Sequence, residues 1–273
     1  MKGLNPFDVK MPRVDLSVDG RVFHRCAAQA IPDLWCRFGI FPEVPEVIYR
    51  YLKADHAEEL LGQGRMRLGT LVGYRSADQL NLAQADPFEG TTMSSGKLAG
   101  IVFPGMVYTE RVRSVNSWIL CLSTMKSKEL MEGFEADTVL EIETRPFALE
   151  LARSMAIRSE IGSVRNVDYI PYGFQREGEK RRLAMFTKSP NFAWQSEVRF
   201  SFERRGDFEK AFRHRVKREQ LSGKFWIDGS DDGTSVSEPI WTKSPAVEDL
   251  HPIFVVSASL RKFAKDVTKT VID

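Results

Sequence analysis

Three short segments place polar side chains in stretches that otherwise alternate apolar residues, and these polar residues could do chemistry. The segments are residues 47–51, 120–124 and 194–200, and their polar residues are Arg50, Ser123 with Thr124, and Glu197. A guanidinium can donate paired hydrogen bonds to phosphate oxygens, and a carboxylate can stabilise positive charge that develops on a ribose carbon. The set therefore predicts a site for a nucleotide with two phosphates and a cationic ring on its sugar.

Each segment has the pattern of a strand with one face in a core and the other in a cleft. The chain as a whole predicts an α+β fold of antiparallel or split sheets with flanking helices. The predicted strands are 47–52, 65–71, 108–115, 117–123, 138–143, 164–171, 192–202, 225–227 and 253–258, and the predicted helices are 55–63, 145–159 and 207–220. No Gly-x-Gly-x-x-Gly follows a strand, so nothing in the sequence supports a Rossmann site.

The chain divides into two parts by composition. Prolines cluster before the first predicted strand, among them Pro32, Pro42 and Pro45. This favours an irregular N-terminal extension over residues 1–45 and a single domain over residues 46–273. With 273 residues and 42% hydrophobic residues, the chain can bury a sizeable core.

Composition also argues against several classes of protein. Every apolar stretch is shorter than the roughly 20 residues of a membrane helix, and the first twenty residues carry three aspartates instead of a secretory signal. We therefore expect no membrane partner and a cytoplasmic location. The three cysteines and four histidines lack ligand spacing, which predicts reduced thiols and no metal site.

A basic segment follows the last polar strand. Residues 199–218 contain eight Lys or Arg against three acids, although the whole chain has a formal charge of only +2. The candidate nucleic-acid contacts in it are Arg204, Arg205, Arg213, Arg215, Lys217 and Arg218. Such a segment can attract a nucleic acid. It is equally typical of a solvated helix face with internal ion pairs.

The three segments together resemble the Arg–Ser–Glu arrangement of mono-ADP-ribosyltransferases. Arg50, Ser123-Thr124 and Gln195-x-Glu197 match it in order, and Met125 takes the place of the last Ser of the Ser-Thr-Ser pattern. The resemblance implies a domain of that family, with NAD as the substrate and a protein or nucleic acid as the acceptor. A bacterial toxin or anti-phage defence effector, with an antitoxin or inhibitor as a further partner, is the biological setting it suggests.

The resemblance also implies roles for individual residues. Arg50 would bind the pyrophosphate, and Ser123 would hydrogen-bond the catalytic Glu197. Gln195, on the same face of an extended segment, would meet the acceptor. The aromatic and basic residues expected to line the NAD site beside Arg50, Ser123 and Thr124 are Tyr49, Tyr51, Tyr74 and Arg75.

The chain is also similar to a group of uncharacterised bacterial proteins, over about residues 46–202. The shared motifs are Tyr-Arg-Tyr at 49–51, Asp-Pro-Phe-Glu at 86–89, Leu-Ser at 122–123 and Trp-x-x-Glu-x-Arg-Phe at 194–200. This second resemblance implies no activity.

Structural alternatives remain open for the same residues. Arg50 could pair with Glu58 or Glu59, and Glu197 could form an ion pair with Arg199 on the same strand face. Large aromatics at strand spacing are common in cores. Two other classes of function therefore stay open, a nucleic-acid-binding protein that uses residues 199–218 and a non-catalytic interaction module.

Overall fold

A computed structural model describes residues 22–29, 31, 33–75, 91–96, 108–113, 116–169, 184–206 and 250–272. In chain order the strands are β1 (Val22–Ala27), β2 (Trp35–Ile40), β3 (Val47–Leu52), β4 (Arg65–Thr70), β5 (Thr91–Gly96), β6 (Tyr108–Arg113), β7 (Ser117–Ser123), β8 (Thr138–Glu143), β9 (Ser159–Asn166), β10 (Asp168–Tyr169), β11 (Thr187–Lys188), β12 (Glu197–Arg204), β13 (Ile253–Val256) and β14 (Ala264–Asp266). The α-helices are α1 (Ala54–Gln63), α2 (Lys128–Gly133), α3 (Thr144–Met155) and α4 (Lys269–Ile272). Short 3₁₀ turns cover Gly73–Arg75, Ala184–Phe186, Pro190–Gln195 and Leu260–Phe263.

Ten of the described strands form one sheet. Its main order is β1-β2-β9-β12-β7-β3-β8-β14, and a branch runs from β7 through β4 to β13. The pairing is antiparallel except between β2 and β9. β5 with β6 and β10 with β11 form two small separate sheets.

The sheet forks at β7. One edge of β7 pairs with β12 along its whole length. The other edge is shared, because Trp118 and Ile119 pair with β4 whereas Ser123 pairs with β3. β3 and β4 therefore diverge from each other, and Cys121 lies between the two pairing regions.

Alternation along β12 gives the sheet two different buried faces. Val198, Phe200 and Phe202 belong to the main core, which α1 and α3 cover. The opposite face carries a small second cluster made of Leu71, Ile119, Met185 and Phe186. Because both faces are covered, polar residues on the second face of β12 are also buried.

The predicted α+β class is confirmed, since a large, mostly antiparallel sheet is flanked by a few helices. The predicted strands over 47–52 and 138–143 coincide with β3 and β8, and the helix over 55–63 lies within α1. No helix among the described residues is long and apolar enough to cross a bilayer.

The prediction of an irregular extension over residues 1–45 is wrong for Val22–Ala27 and Trp35–Ile40. β1 and β2 form a hairpin in the main sheet, and β2 pairs with β9. Cys36 and Phe38 alternate into the core, where the Phe38 ring stacks on Phe202 at 5.4 Å. The prolines of residues 1–45 were the basis for predicting an irregular segment, but no proline lies within β1 or β2.

A second correction concerns the segment after α3. The helix ends at Met155, four residues earlier than expected, and β9 occupies 159–166 instead of 164–171. This register requires a glycine at position 162, because a Cβ there would come within 3 Å of the Phe38 and Phe202 rings. The predicted helix over 207–220 and the predicted strand over 225–227 lie outside the described residues.

Candidate active site

The three motif segments form neighbouring strands, and Tyr49, Ser123 and Glu197 lie in one row across the sheet. Tyr49 of β3 is the register partner of Ser123 of β7, and Ser123 is the partner of Glu197 of β12. Directly opposed residues of antiparallel strands project from the same face. Residues separated by more than 70 positions in sequence are thus brought to one line at the fork of the sheet.

Arg50, the neighbour of Tyr49, fills the fork. Its Nη1 donates a hydrogen bond to the carbonyl oxygen of Cys121, between the two regions where β7 pairs with β3 and β4. Its Nε is buried, and no acceptor lies within hydrogen-bonding distance of it in the described structure. Arg50 does not pair with Glu59, whose carboxylate binds Arg65 instead. The Arg50 guanidinium therefore binds β7 at the fork, and its buried Nε–H has no acceptor among the described residues.

Glu197 is 4% exposed and lies between two cations. Arg199 donates to Oε1 from both Nε and Nη2, at 2.8 Å in each case. Lys188 donates to Oε2 at 3.0 Å. Arg199 also donates to the carbonyl oxygen of Met185. The predicted same-face ion pair of Glu197 with Arg199 is confirmed, and Lys188 adds a second cation.

These cations control the protonation of the site. Burial alone would raise the pKa of the Glu197 carboxyl, but the charges of Arg199 and Lys188 outweigh burial and hold the pKa well below its usual range. Burial and the neighbouring Glu197 charge together raise the pKa of the Cys121 thiol to about 12. Burial likewise raises the pKa of the Tyr169 hydroxyl, which accepts the Glu197 backbone N–H at 2.7 Å. Glu197 is therefore the ionised group, surrounded by neutral Cys121 and Tyr169.

Gln195 and Ser123 shape the turn that leads into β12. Gln195 is buried, and its Oε1 accepts from Lys188 at 2.8 Å. The Ser123 hydroxyl donates to the Gln195 carbonyl oxygen at 2.8 Å and accepts the Met125 N–H at 3.1 Å. The Ser123 hydroxyl therefore stabilises the turn before Glu197. The hydrogen bond from Ser123 to the Glu197 carboxylate that the resemblance implies is wrong. Ser196, with φ of 44°, is in the left-handed region, a strained conformation that recurs at functional sites.

The other predicted NAD-site residues surround this row. The Thr124 N–H donates to the Ser196 carbonyl oxygen at 2.8 Å. The Tyr51 hydroxyl donates to Met125 O at 2.8 Å, while the Tyr74 ring lies against Gly69 of β4 and the second cluster. Arg75 ends a 3₁₀ turn, and its side chain is outside the described part of the structure.

An aromatic row borders the site on its exposed side. The Tyr51 ring lies 5.6 Å from Phe134, which lies 5.3 Å from Trp194. Trp194 is 43% exposed, and Met125 is also exposed. The row ends at Trp194 in the turn Pro190–Gln195, just before β12.

The predicted nucleic-acid contacts are only partly described. Arg205 donates from Nη2 to three backbone carbonyls, of Ala156 at 2.6 Å, Trp35 at 2.9 Å and Ser159 at 3.0 Å. It ties β2 to the start of β9, and Arg204 ends β12. Arg213, Arg215, Lys217 and Arg218 lie outside the described residues, as does the Asp-Pro-Phe-Glu motif at 86–89.

Sequence reasoning missed Lys188. It is the only charged residue between Leu183 and Ser196, a stretch rich in aromatic and apolar residues that runs directly into Glu197. An isolated charge in such a stretch signals a buried ion pair, because a buried charge needs a partner. That signal was available in the sequence, but the identity of the partner was not.

Comparisons with protein-family models, curated proteins and solved structures gave no match for this chain. Within the described ranges, no group of three or more His, Cys, Asp or Glu side chains is placed to hold a metal ion. The motif residues and their geometry are therefore the basis on which a function can be proposed for this protein.

Proposed function

We propose that this protein transfers ADP-ribose from NAD to a macromolecular acceptor, a protein or a nucleic acid, in the cytoplasm. The observation that supports the proposal is the row formed by Tyr49, Ser123 and Glu197, with Arg50 beside it at the fork. The three motifs that resemble an ADP-ribosyltransferase could have fallen on distant elements. They lie instead on three adjacent strands.

The chemistry assigned to each residue follows from its charge and position. The Glu197 carboxylate stabilises positive charge on the ribose carbon while its bond to nicotinamide breaks, and nicotinamide leaves with the bonding electrons. An acceptor nucleophile then forms the new bond to that carbon and loses a proton. The free Nε donor of Arg50 suits a phosphate oxygen of the pyrophosphate.

The low pKa of Glu197 fits this role. A carboxyl group that is ionised throughout the neutral range can stabilise a cation without first losing a proton. Arg199 therefore acts as a positioning residue, because its two hydrogen bonds fix one carboxylate oxygen and favour the charged form.

One observation favours the non-catalytic alternative. Both oxygens of Glu197 already bind cations, and the side chain is almost completely buried. A buried ion cluster can serve folding alone, with no substrate. Activity measurements on matched variants distinguish the two functions.

The test measures nicotinamide release and transfer of label from NAD to a cell lysate. We expect Glu197→Gln to lower the rate by about 10²–10³-fold, the range for removal of one electrostatic group from an active site. Glu203→Gln is the matched control, because it changes a carboxyl on the same face of β12 at the far end of the strand. Nuclease or protease treatment of the labelled lysate identifies the acceptor.

Thermal unfolding shows whether the Glu197→Gln variant is folded at the assay temperature. Arg50→Lys serves as a second test that leaves the Glu197 cluster intact, and we expect it to raise KM for NAD. Equal activity of the parent protein and both variants, or no activity in any of them, would favour the non-catalytic module.

A further inference from the structure

Both oxygens of the Glu197 carboxylate already accept hydrogen bonds from cations, and the side chain is 4% exposed. Oε1 accepts two hydrogen bonds from Arg199, and Oε2 accepts one from Lys188. Because the carboxylate is buried, a ribose carbon or hydroxyl can approach it only if a neighbouring side chain moves aside.

The donor able to leave is Lys188. Arg199 is held by three hydrogen bonds of a planar fork, two to Glu197 and one to Met185 O. Lys188 carries a compact ammonium on a flexible four-carbon stem and has no fixed fork geometry. Loss of Lys188 also leaves Glu197 paired with Arg199, so the buried carboxylate stays compensated.

Strand pairing and the second cluster hold the backbone of Lys188 in place, so a change at this position involves its side chain. Tyr169 and Lys188 are register partners in the parallel pair of β10 and β11, and Met185 and Phe186 just before β11 are anchored in the second cluster. The ring of Phe192 covers the ammonium, with Nζ 4.8 Å from the ring centroid. Phe192 belongs to the turn Pro190–Gln195, most of which is exposed. Rotation of the Lys188 side chain past Phe192 would bring the ammonium toward this exposed turn.

Lys188 also bridges Glu197 and Gln195, the residue that the family resemblance places beside the acceptor. Its Nζ lies 2.8 Å from Gln195 Oε1 and 3.0 Å from Glu197 Oε2. We propose that Lys188 is an internal cation that closes the Gln195–Glu197 pair, and that substrate gains access only when the Lys188 side chain rotates away. This inference rests on the proposed function for the identity of the substrate.

The test measures access to Glu197 without relying on catalysis. A water-soluble carbodiimide with glycine ethyl ester labels accessible carboxyl groups, and peptide mass spectrometry gives the labelling rate at Glu197. We expect at least about 10-fold faster labelling in Lys188→Met and in Phe192→Ala than in the parent protein. Phe192→Ala keeps every charge and removes only the ring that covers the ammonium. Lys265→Met is the control, because it breaks an exposed pair with Glu141 and should leave the Glu197 rate unchanged.

The outcomes separate this inference from the proposed function. Faster labelling together with faster nicotinamide release supports both. Faster labelling without NAD cleavage in any variant supports the closing role of Lys188 and overturns the proposed function. Unchanged labelling in both folded variants, or slower NAD cleavage in Lys188→Met than in the parent protein, overturns the inference.

Discussion

Glu197, Arg199 and Lys188 form a buried triad in which each charge depends on the others. Moving a charge out of water costs several kcal/mol, and only close partners offset that cost. Removal of one member of a buried pair therefore costs about 3–5 kcal/mol, far more than the loss of an exposed pair. The stability of the fold and the proposed chemistry therefore depend on the same three side chains.

Acid should weaken the fold through Glu197. Its pKa falls from an ordinary 4.5 to about 2 in the folded protein. A carboxyl with a lowered pKa contributes stability that is complete above pH 4.5 and is lost as the pH falls toward 2. We expect the free energy of unfolding to fall across that window as this group takes up its proton in the unfolded chain. Urea unfolding of the parent protein and Glu197→Gln between pH 2.5 and 7 measures it, because the variant lacks this contribution.

Gln195→Met is the matched control for this pH experiment. It removes a neutral partner of Lys188 and keeps the Glu197 carboxyl, so the acid dependence should persist. If the stability difference between the parent protein and Glu197→Gln does not shrink below pH 4.5, the carboxyl is not held ionised by its neighbours.

At the scale of elements, the end of α1 shows how one glycine connects a helix to the sheet. Gly64 has φ of 65° and donates its N–H to the Leu60 carbonyl oxygen at 2.9 Å. Its own carbonyl oxygen accepts the Ser257 N–H at 3.0 Å, just after β13. A Cβ at this position would lie 1.8 Å from the Ser257 carbonyl oxygen. Gly64 is required by both the left-handed conformation and the close approach of the backbone.

Two alanine substitutions in this helix should act in opposite directions. We expect Gly64→Ala to lower the free energy of unfolding by at least about 2 kcal/mol, because it adds left-handed strain and a backbone clash. Gly62→Ala should raise it by about 0.5–1 kcal/mol, because Gly62 is helical and nothing lies within 4 Å of its added Cβ. Urea unfolding of both variants measures the difference. Equal effects at the two positions would contradict this account of the helix end.

At the scale of the whole molecule, the N-terminal hairpin belongs to the sheet. β2 fills the edge of β9, and the Phe38 ring packs against Phe200 and Phe202 in the main core. We therefore expect a chain of residues 46–273 to lack cooperative thermal unfolding, because β9 becomes an uncovered edge and the core loses an aromatic layer. Near-UV circular dichroism and calorimetry of the fragment check this.

Point variants give a graded form of the truncation experiment. Phe38→Ala in the full chain should cost about 3–5 kcal/mol and remain folded. Arg37→Ala, on the exposed side of β2, should change stability by about 1 kcal/mol or less, since it loses only a stacking contact with Phe23. A fragment 46–273 that unfolds cooperatively with a native near-UV spectrum would restore the predicted boundary at residue 46.

The sequence by itself determined the local elements that carry strong patterns. β3, β7 and β8 follow from apolar alternation, and α1 follows from its helical period and terminal glycines. The polar residues of the site were also visible, because Arg50, Ser123 and Glu197 interrupt apolar strands. These features depend on neighbours a few residues apart, and a sequence displays such neighbours directly.

Only the tertiary structure decided which residues meet. The register that aligns Tyr49, Ser123 and Glu197 depends on pairing between strands more than 70 residues apart, and one-residue slips would turn each side chain to the other face. The contact of Lys188 with Glu197 and the place of β1 and β2 in the sheet likewise depend on which segments pack together in the folded chain. Partners are selected by packing and by burial of charge across the whole molecule, and the local pattern of the chain does not specify them.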